Sequence, residues 1–205
     1  MIVIVDYGMG NLGSVLNMLK YLKIDTKISN DPSVIEKAEK IILPGVGSFD
    51  NGMKNLETKG LKKVLDKRVL KDKVPILGVC LGMQLMTKKS EEGNLPGLGW
   101  IDANTVKFKF KDGNKKLKIP HMGWNTINIE TKKELFQGMS KEPQFYFVHS
   151  YHVVCKDKRN ILSTTIYGYE FASSIQRENI MGVQFHPEKS HKFGMKVYQN
   201  FAEMK

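Results

Sequence analysis

The segment Val74-Pro75-Ile76-Leu77-Gly78-Val79-Cys80-Leu81-Gly82-Met83-Gln84 restricts the possible folds of this chain more than any other. Its apolar residues predict a strand over Val74–Val79 that meets a Gly-x-Cys-x-Gly turn, with a helix beginning directly after it. The two glycines permit a tight, strained turn, so the side chain between them projects at the strand's carboxyl end instead of entering the core. This is the pattern of a nucleophile elbow, with sulfur in place of the serine oxygen. The N-terminus of the following helix would point unpaired N–H groups and a positive dipole end at the sulfur, favouring thiolate over thiol. A cysteine after an apolar strand is otherwise a small buried hydrophobe. The bracketing glycines at a strand–helix junction argue for the nucleophile.

A thiolate nucleophile needs a base and a group to orient that base. Of the histidines at 121, 149, 152, 186 and 191, one has suitable surroundings. Ile180–Phe185 reads as a buried strand and ends in His186-Pro187-Glu188. Pro187 lacks an N–H and stops the ladder, which leaves His186 at a strand's carboxyl end, as Cys80 is. In an open parallel sheet that edge is where sites collect. Glu188 is placed to fix the imidazole tautomer and to stabilise the imidazolium, so Cys80, His186 and Glu188 form the candidate triad. A third element follows the predicted strand Lys40–Leu43: the turn Pro44-Gly45-Val46-Gly47 can aim backbone amides at a developing oxyanion. Its spacing is not that of a dinucleotide fingerprint, and no Gly-Lys-Ser/Thr follows to make a phosphate loop.

Around these pieces the pattern alternates between strand and helix. Met1–Val5 reads as a strand, Asn11–Leu22 as a helix with Val15, Met18, Leu19 and Leu22 on one face, and Thr26–Ser29 as a strand. A basic amphipathic helix is expected from Gly52 to Leu70. Past Trp100 the period becomes 2: Thr105–Lys111 alternates apolar and basic residues, and Asp112-Gly113 marks a hairpin turn. A last helix is expected over Ser190–Met204. The predicted fold is therefore α/β, with a central, mostly parallel sheet flanked by helices and an added antiparallel β region.

With 41% hydrophobic and 26% charged residues the composition is that of a globular protein. The run Ile2–Val5 is too short for a signal peptide or a membrane span, and Cys80 and Cys155 make no metal or disulfide motif. Cys155 reads as packing. A cytoplasmic protein with free thiols, no metal and no cofactor is the expectation. The net charge of +11 raises nucleic acid as a ligand. However, the excess is mostly lysine spread over outer faces, and no recognition module accompanies it, so a solvated basic surface is the better account.

In chain order these pieces make the sequence resemble the class I, triad-type glutamine amidotransferases, which share the cysteine elbow and a His-Pro-Glu near the C-terminus. Within that family it is most similar to the glutaminase subunits of imidazole glycerol phosphate synthases. The resemblance covers essentially residues 1–205 as a single amidotransferase domain. It is carried by Asp6-Tyr7-Gly8-Met9-Gly10-Asn11-Leu12, Pro44-Gly45-Val46-Gly47, Cys80-Leu81-Gly82-Met83-Gln84, Pro120-His121-Met122-Gly123-Trp124-Asn125, Phe147-Val148-His149-Ser150-Tyr151 and His186-Pro187-Glu188-Lys189-Ser190.

The resemblance implies that Cys80 attacks the glutamine side-chain amide and that His186 protonates the departing ammonia and then activates water. It implies an oxyanion region at Val46, Gly47 and Leu81, and glutamine-holding positions at Gln84, Ser150 and Tyr151. Ammonia would pass to a (β/α)8-barrel cyclase partner in a heterodimer, with Asn11, Trp124, Tyr146 and Lys189 facing that partner. The products would be imidazole glycerol phosphate and the purine precursor AICAR of histidine biosynthesis. Gly13 and His191 depart from the family pattern. They leave room for a paralogue with another acceptor, such as a sugar-amidating system. A stand-alone cysteine hydrolase and a silent regulatory subunit are the remaining readings. The partner-facing positions count against the former and the intact triad against the latter.

Overall fold

The computed structural model describes residues 1–110, 117–130 and 134–204. The chain opens with strand β1 (Ile2–Val5), helix α1 (Leu12–Tyr21), strand β2 (Thr26–Ser29), helix α2 (Pro32–Glu36) and strand β3 (Lys40–Leu43). Helices α3 (Phe49–Thr58) and α4 (Leu61–Asp66) lead to β4 (Ile76–Val79) and then α5 (Leu81–Leu85). Next come β5 (Lys89–Ser90), β6 (Ala103–Lys107), β7 (His121–Thr126), β8 (Asn128–Ile129) and β9 (Gln144–His149). After these follow β10 (Tyr151–Cys155), β11 (Ile161–Tyr167), β12 (Tyr169–Arg177), β13 (Ile180–Val183) and helix α6 (His191–Glu203).

Among the described residues, eleven strands form one sheet whose main path runs β2-β1-β3-β4-β13-β12-β10-β6-β5, with β11 and β8 joined to it through β12. The first five strands of that path are parallel. From β12 outward the pairing is antiparallel, apart from the short β5–β6 contact. Strands β7 and β9 make a separate antiparallel pair. The expected α/β architecture, parallel centre and antiparallel region are all present.

Every residue of β1, β4 and β13 is buried, as parallel strands covered on both faces require. The period of two sends Val3 and Val5 to one face and Ile2 and Ile4 to the other. The first face packs on Ile35, Leu56, Leu61 and Leu65 of α2, α3 and α4. The second packs on Val15 and Leu19 of α1, Val197 and Phe201 of α6, and Phe145 and Phe147 of β9. Two apolar layers thus clamp the sheet. Consequently the loops after β1, β3, β4 and β13 all emerge at its carboxyl edge.

Several elements differ from the sequence expectation. The helix expected over Gly52–Leu70 is broken: Gly60 adopts φ +67° and ends α3, while a π-helical turn over Lys67–Lys71 follows α4. The short helix α2 was not anticipated, although Asp31 caps it by accepting the Ser33 N–H at 2.8 Å and Pro32 occupies its first turn. The strands expected over Val74–Val79 and Ile180–Phe185 are trimmed to Ile76–Val79 and Ile180–Val183. Strand β6 ends at Lys107, because Thr105 and Phe108 are both buried and the alternation breaks between them. Asp112-Gly113, read as a hairpin turn, lies outside the described residues.

Candidate active site

Cys80 sits between β4 and α5 with φ +53° and ψ −108°, a conformation L-residues rarely adopt. Its N–H donates to the Val183 carbonyl at 2.8 Å, tying the elbow to β13. The flanking glycines are there for space. A Cβ on Gly82 would overlap the Leu43 carbonyl oxygen, and one on Gly78 would lie 2.7 Å from the Met83 nitrogen. The expected helix does begin at Leu81, but it is only five residues long, so its dipole at the sulfur is weak.

His186 and Glu188 come together as expected. His186 Nδ1 and Glu188 Oε1 are 2.7 Å apart, with both side chains almost fully buried. The carboxylate fixes the proton on Nδ1 and leaves Nε2 buried without a hydrogen-bond partner among the described residues. Burial alone would push the imidazole pKa down. The charge of Cys80, together with the charge and hydrogen bond of Glu188, outweighs it and raises the value to about 10. Ser190 holds this strand end: its Oγ donates to the His186 carbonyl at 2.6 Å and accepts the Tyr146 N–H at 3.0 Å. The His186 N–H in turn donates to the Tyr146 carbonyl at 2.9 Å.

Cys80 opens into a cavity of about 320 Å³, large enough for a single amino acid. Val46, Gly47, Leu81, Gln84, Ser150 and Tyr151, all named from sequence, line it with Cys80. Gly47 adopts φ +120°. The Leu81 N–H, however, donates to the Gly45 carbonyl at 3.3 Å, so one of the expected oxyanion donors is occupied from within. The same turn is tethered by Tyr7, whose hydroxyl donates to the Pro44 carbonyl at 2.7 Å. Gln84 Nε2 donates both to the Tyr151 carbonyl and to Gln184 Oε1, each at 3.1 Å. The Ser150 carbonyl accepts the Phe108 N–H at 3.1 Å.

Four residues on the cavity wall, Glu92, Pro120, Val148 and His149, were not named as site residues, and one of them carries a charge. Glu92 presents a carboxylate there, half-buried, and accepts the Phe49 N–H at the start of α3 at 2.9 Å. Burial raises its pKa against that hydrogen bond, and Asp50 adds to the rise. It lies in an irregular loop with no periodicity around it, so only its charge in the sequence could have drawn attention.

Of the residues expected to face a partner, three form one exposed cluster. Trp124 is 48% exposed, stacks on His191 at 5.4 Å between ring centroids and meets Tyr146 edge-on at 6.2 Å. Lys189 Nζ lies 5.5 Å from the Tyr146 ring centroid. Met122, two residues before Trp124 on the same face of β7, is 62% exposed. Asn11 stands apart as the N-cap of α1, accepting the Ser14 N–H at 3.3 Å. Cys155 is buried and its thiol is pushed up to about 11 by burial and by Asp157, consistent with packing.

Residues 3–204 match the family described as Glutamine amidotransferase class-I. In Methanococcus maripaludis, the imidazole glycerol phosphate synthase subunit HisH 2 is 57% identical over 203 residues, 99% of each chain. The HisH 1 subunit of the same organism is 46% identical over 209 residues, covering 100% of each. Among solved structures, PurLQS from Thermotoga maritima superposes with a TM-score of 0.74 over 98% of this chain and 96% of that one, at 17% identity, a likeness of fold.

Proposed function

This chain belongs to the glutamine amidotransferase class-I family, and from that premise we propose that it is the glutaminase subunit of an imidazole glycerol phosphate synthase. It hydrolyses glutamine and delivers the ammonia to a (β/α)8-barrel cyclase subunit that makes imidazole glycerol phosphate and AICAR. The observation that carries the chemistry is the strained Cys80 facing an amino-acid-sized cavity beside a buried His186–Glu188 pair.

In this reading the Cys80 thiolate attacks the side-chain amide carbon of glutamine and the carbonyl oxygen takes the negative charge. His186, charged and held by Glu188, gives its Nε2 proton to the departing ammonia, leaving a γ-glutamyl thioester. Neutral His186 then takes a proton from water, whose oxygen attacks the thioester carbon. Glutamate leaves and the sulfur is regenerated. Glu92 is suited to the α-ammonium group of glutamine, a cation inside a low-dielectric cavity. Since the Leu81 N–H is engaged by the Gly45 carbonyl, full stabilisation of the oxyanion requires the Pro44–Gly47 turn to release it. This fits an activity that rises only when a partner docks. The apolar strip of Met122 and Trp124, flanked by Tyr146 and Lys189, suits that contact.

The test is glutamate release from glutamine by the purified chain, alone and with the cyclase subunit and its nucleotide substrate, using Cys80→Ala as the blank. A Cys80-dependent rise of tenfold or more on adding both supports the proposal; no rise refutes the histidine-pathway assignment. One observation favours a second reading, in which the acceptor belongs to a paralogous synthase. The two Methanococcus maripaludis relatives differ, and this chain shares 57% with one and 46% with the other. That reading gains if Cys80 is still alkylated by a glutamine analogue while the cyclase produces no stimulation.

A further inference from the structure

Gln184 has figured so far only as an acceptor for Gln84, yet its side chain ends against the nucleophile. It directly follows β13, is fully buried, and its backbone N–H donates to the Ser173 carbonyl at 2.9 Å. Its Nε2 lies 3.7 Å from Cys80 Sγ, within reach of an N–H···S hydrogen bond. A buried amide must place both its donor and its acceptor, and which end faces the sulfur decides what it does there.

The orientation follows from groups that can only accept. The Tyr151 carbonyl is 2.7 Å from His149 Nδ1, so Nδ1 carries the hydrogen. Burial drives the His149 pKa well below its ordinary value and that of His121 to about 4, so both rings are neutral near pH 7. His149 Nε2 is then an acceptor, and His121 Nδ1, 3.0 Å away, donates to it. His121 Nε2 accepts from Asn125 Nδ2 at 3.2 Å, and Asn125 is oriented by the Thr126 N–H, which it accepts through Oδ1 at 2.8 Å. The same Tyr151 carbonyl forces Gln84 to present Nε2, and the second N–H of that group points at Gln184 Oε1. Gln184 therefore has its oxygen committed to Gln84 and its NH2 committed to the sulfur.

We propose that Gln184 is a fixed N–H donor to the Cys80 sulfur, stabilising the thiolate and holding it in place, with Gln84, itself turned by the Tyr151 carbonyl, as the positioning residue that sets its orientation. The proposal deepens the glutaminase reading and rests on it for the meaning of the thiolate. Gln184 has no proton to exchange near neutral pH, so its part is separate from that of His186. A hydrogen bond to a thiolate is charge-assisted and is strongest before the sulfur becomes bonded to carbon. The cavity wall thus favours the attacking form of Cys80 even without substrate.

The experiment measures the rate of Cys80 alkylation by iodoacetamide from pH 6 to 10, read by mass spectrometry, in the wild type, Gln184→Glu and Gln184→Met. Glutamate does not enter the assay, and Cys155 serves as an internal control. The titratable groups that sense Cys80 are His186 and Tyr7, with Glu188 behind His186, while Glu92 and His149 line the same cavity; all five are unchanged in the variants. Glutamate still accepts from Gln84 but turns an oxygen toward the sulfur, and methionine fills the space without a donor. Both should alkylate at least fivefold more slowly than wild type at pH 7 and converge with it by pH 10. Superimposable pH profiles in the folded variants would overturn the proposal. Should Gln184→Glu not fold, shown by equal labelling of Cys80 and Cys155, Gln184→Met decides. A shifted profile in a chain that releases no glutamate with the cyclase subunit and its nucleotide substrate, and whose Cys80 no glutamine analogue alkylates, would sink the glutaminase reading and spare the donor. Cys80-dependent glutamate release with an unshifted profile would do the reverse.

Discussion

Replacing Cys80 by glycine and by alanine should give two inactive proteins whose stabilities fall in an unusual order. At φ +53° and ψ −108°, any residue with a Cβ bears a conformational cost of about 1–3 kcal/mol. Cys80→Ala removes the sulfur and retains that cost, whereas Cys80→Gly removes both. Glycine loses about 0.5–1 kcal/mol relative to alanine because its unfolded chain is freer. At the midpoints of these ranges, the glycine variant is more stable by about 1 kcal/mol. For a chain of 205 residues that is a rise of roughly 2–4 °C in Tm. Thermal unfolding followed by calorimetry at pH 7 reads it directly, with loss of glutamate release confirming that both substitutions remove the nucleophile. At an ordinary strand or helix position alanine melts higher. If Cys80→Ala melts at or above Cys80→Gly, the elbow stores no strain at the nucleophile and the argument from its backbone fails.

Two further outcomes are expected. Glu92→Gln keeps an acceptor for the Phe49 N–H but removes the charge facing the α-ammonium. KM for glutamine should therefore rise about 10–100-fold with kcat little changed, and an unchanged KM would remove Glu92 from substrate binding. His121, His149 and His152 are buried and neutral, with pKa values pushed by burial to about 4, well below normal and to about 4, respectively. The unfolded chain takes up their protons near pH 6.5, so stability falls as pH drops from 6.5 toward 4. After discounting for solvent screening, His121 and His152 each contribute on the order of 1–2 kcal/mol, and His149 adds in the same direction. His186, raised to about 10, has the opposite sign: its contribution is complete below 6.5 and is lost as pH rises through 10. Urea midpoints that stay flat between pH 6.5 and 5, above the carboxylate range, would contradict the buried-neutral assignment.

What the sequence revealed and what it hid follow from how far each signal reaches along the chain. The elbow, the β3 turn and the end of β13 are local: an apolar run and a glycine or proline within a few residues define each, and all three were legible. Gly60 was passed over because the amphipathic pattern on either side of it continues in phase, though its φ of +67° ends the helix. The remainder depends on pairings between distant strands. His121 meets His149 only because β7 and β9 align in that register, and Gln184 meets Cys80 only because β13 lies beside β4. Nothing periodic in the sequence marks Glu92, Gln184 or the two histidines as neighbours of the nucleophile.

The balance within the site suggests where a limit on turnover would lie. The His186–Glu188 pair is already in contact, and the elbow is already strained, so neither needs to be assembled. The oxyanion side differs. Leu81 is almost fully buried, and its N–H would cost about 1–3 kcal/mol if left without a partner. The Gly45 carbonyl supplies that partner, while Tyr7 holds the adjacent Pro44 carbonyl. An empty cavity is therefore more stable with its donor satisfied from within than with an open oxyanion hole. On the proposed chemistry, a tetrahedral oxyanion must displace the Gly45 carbonyl or wait until the turn is moved for it. A docked partner that shifts the Pro44–Gly47 turn would raise the chemical rate without touching Cys80, His186 or Glu188. Stimulation by such a partner should accordingly appear in kcat for glutamine far more than in KM.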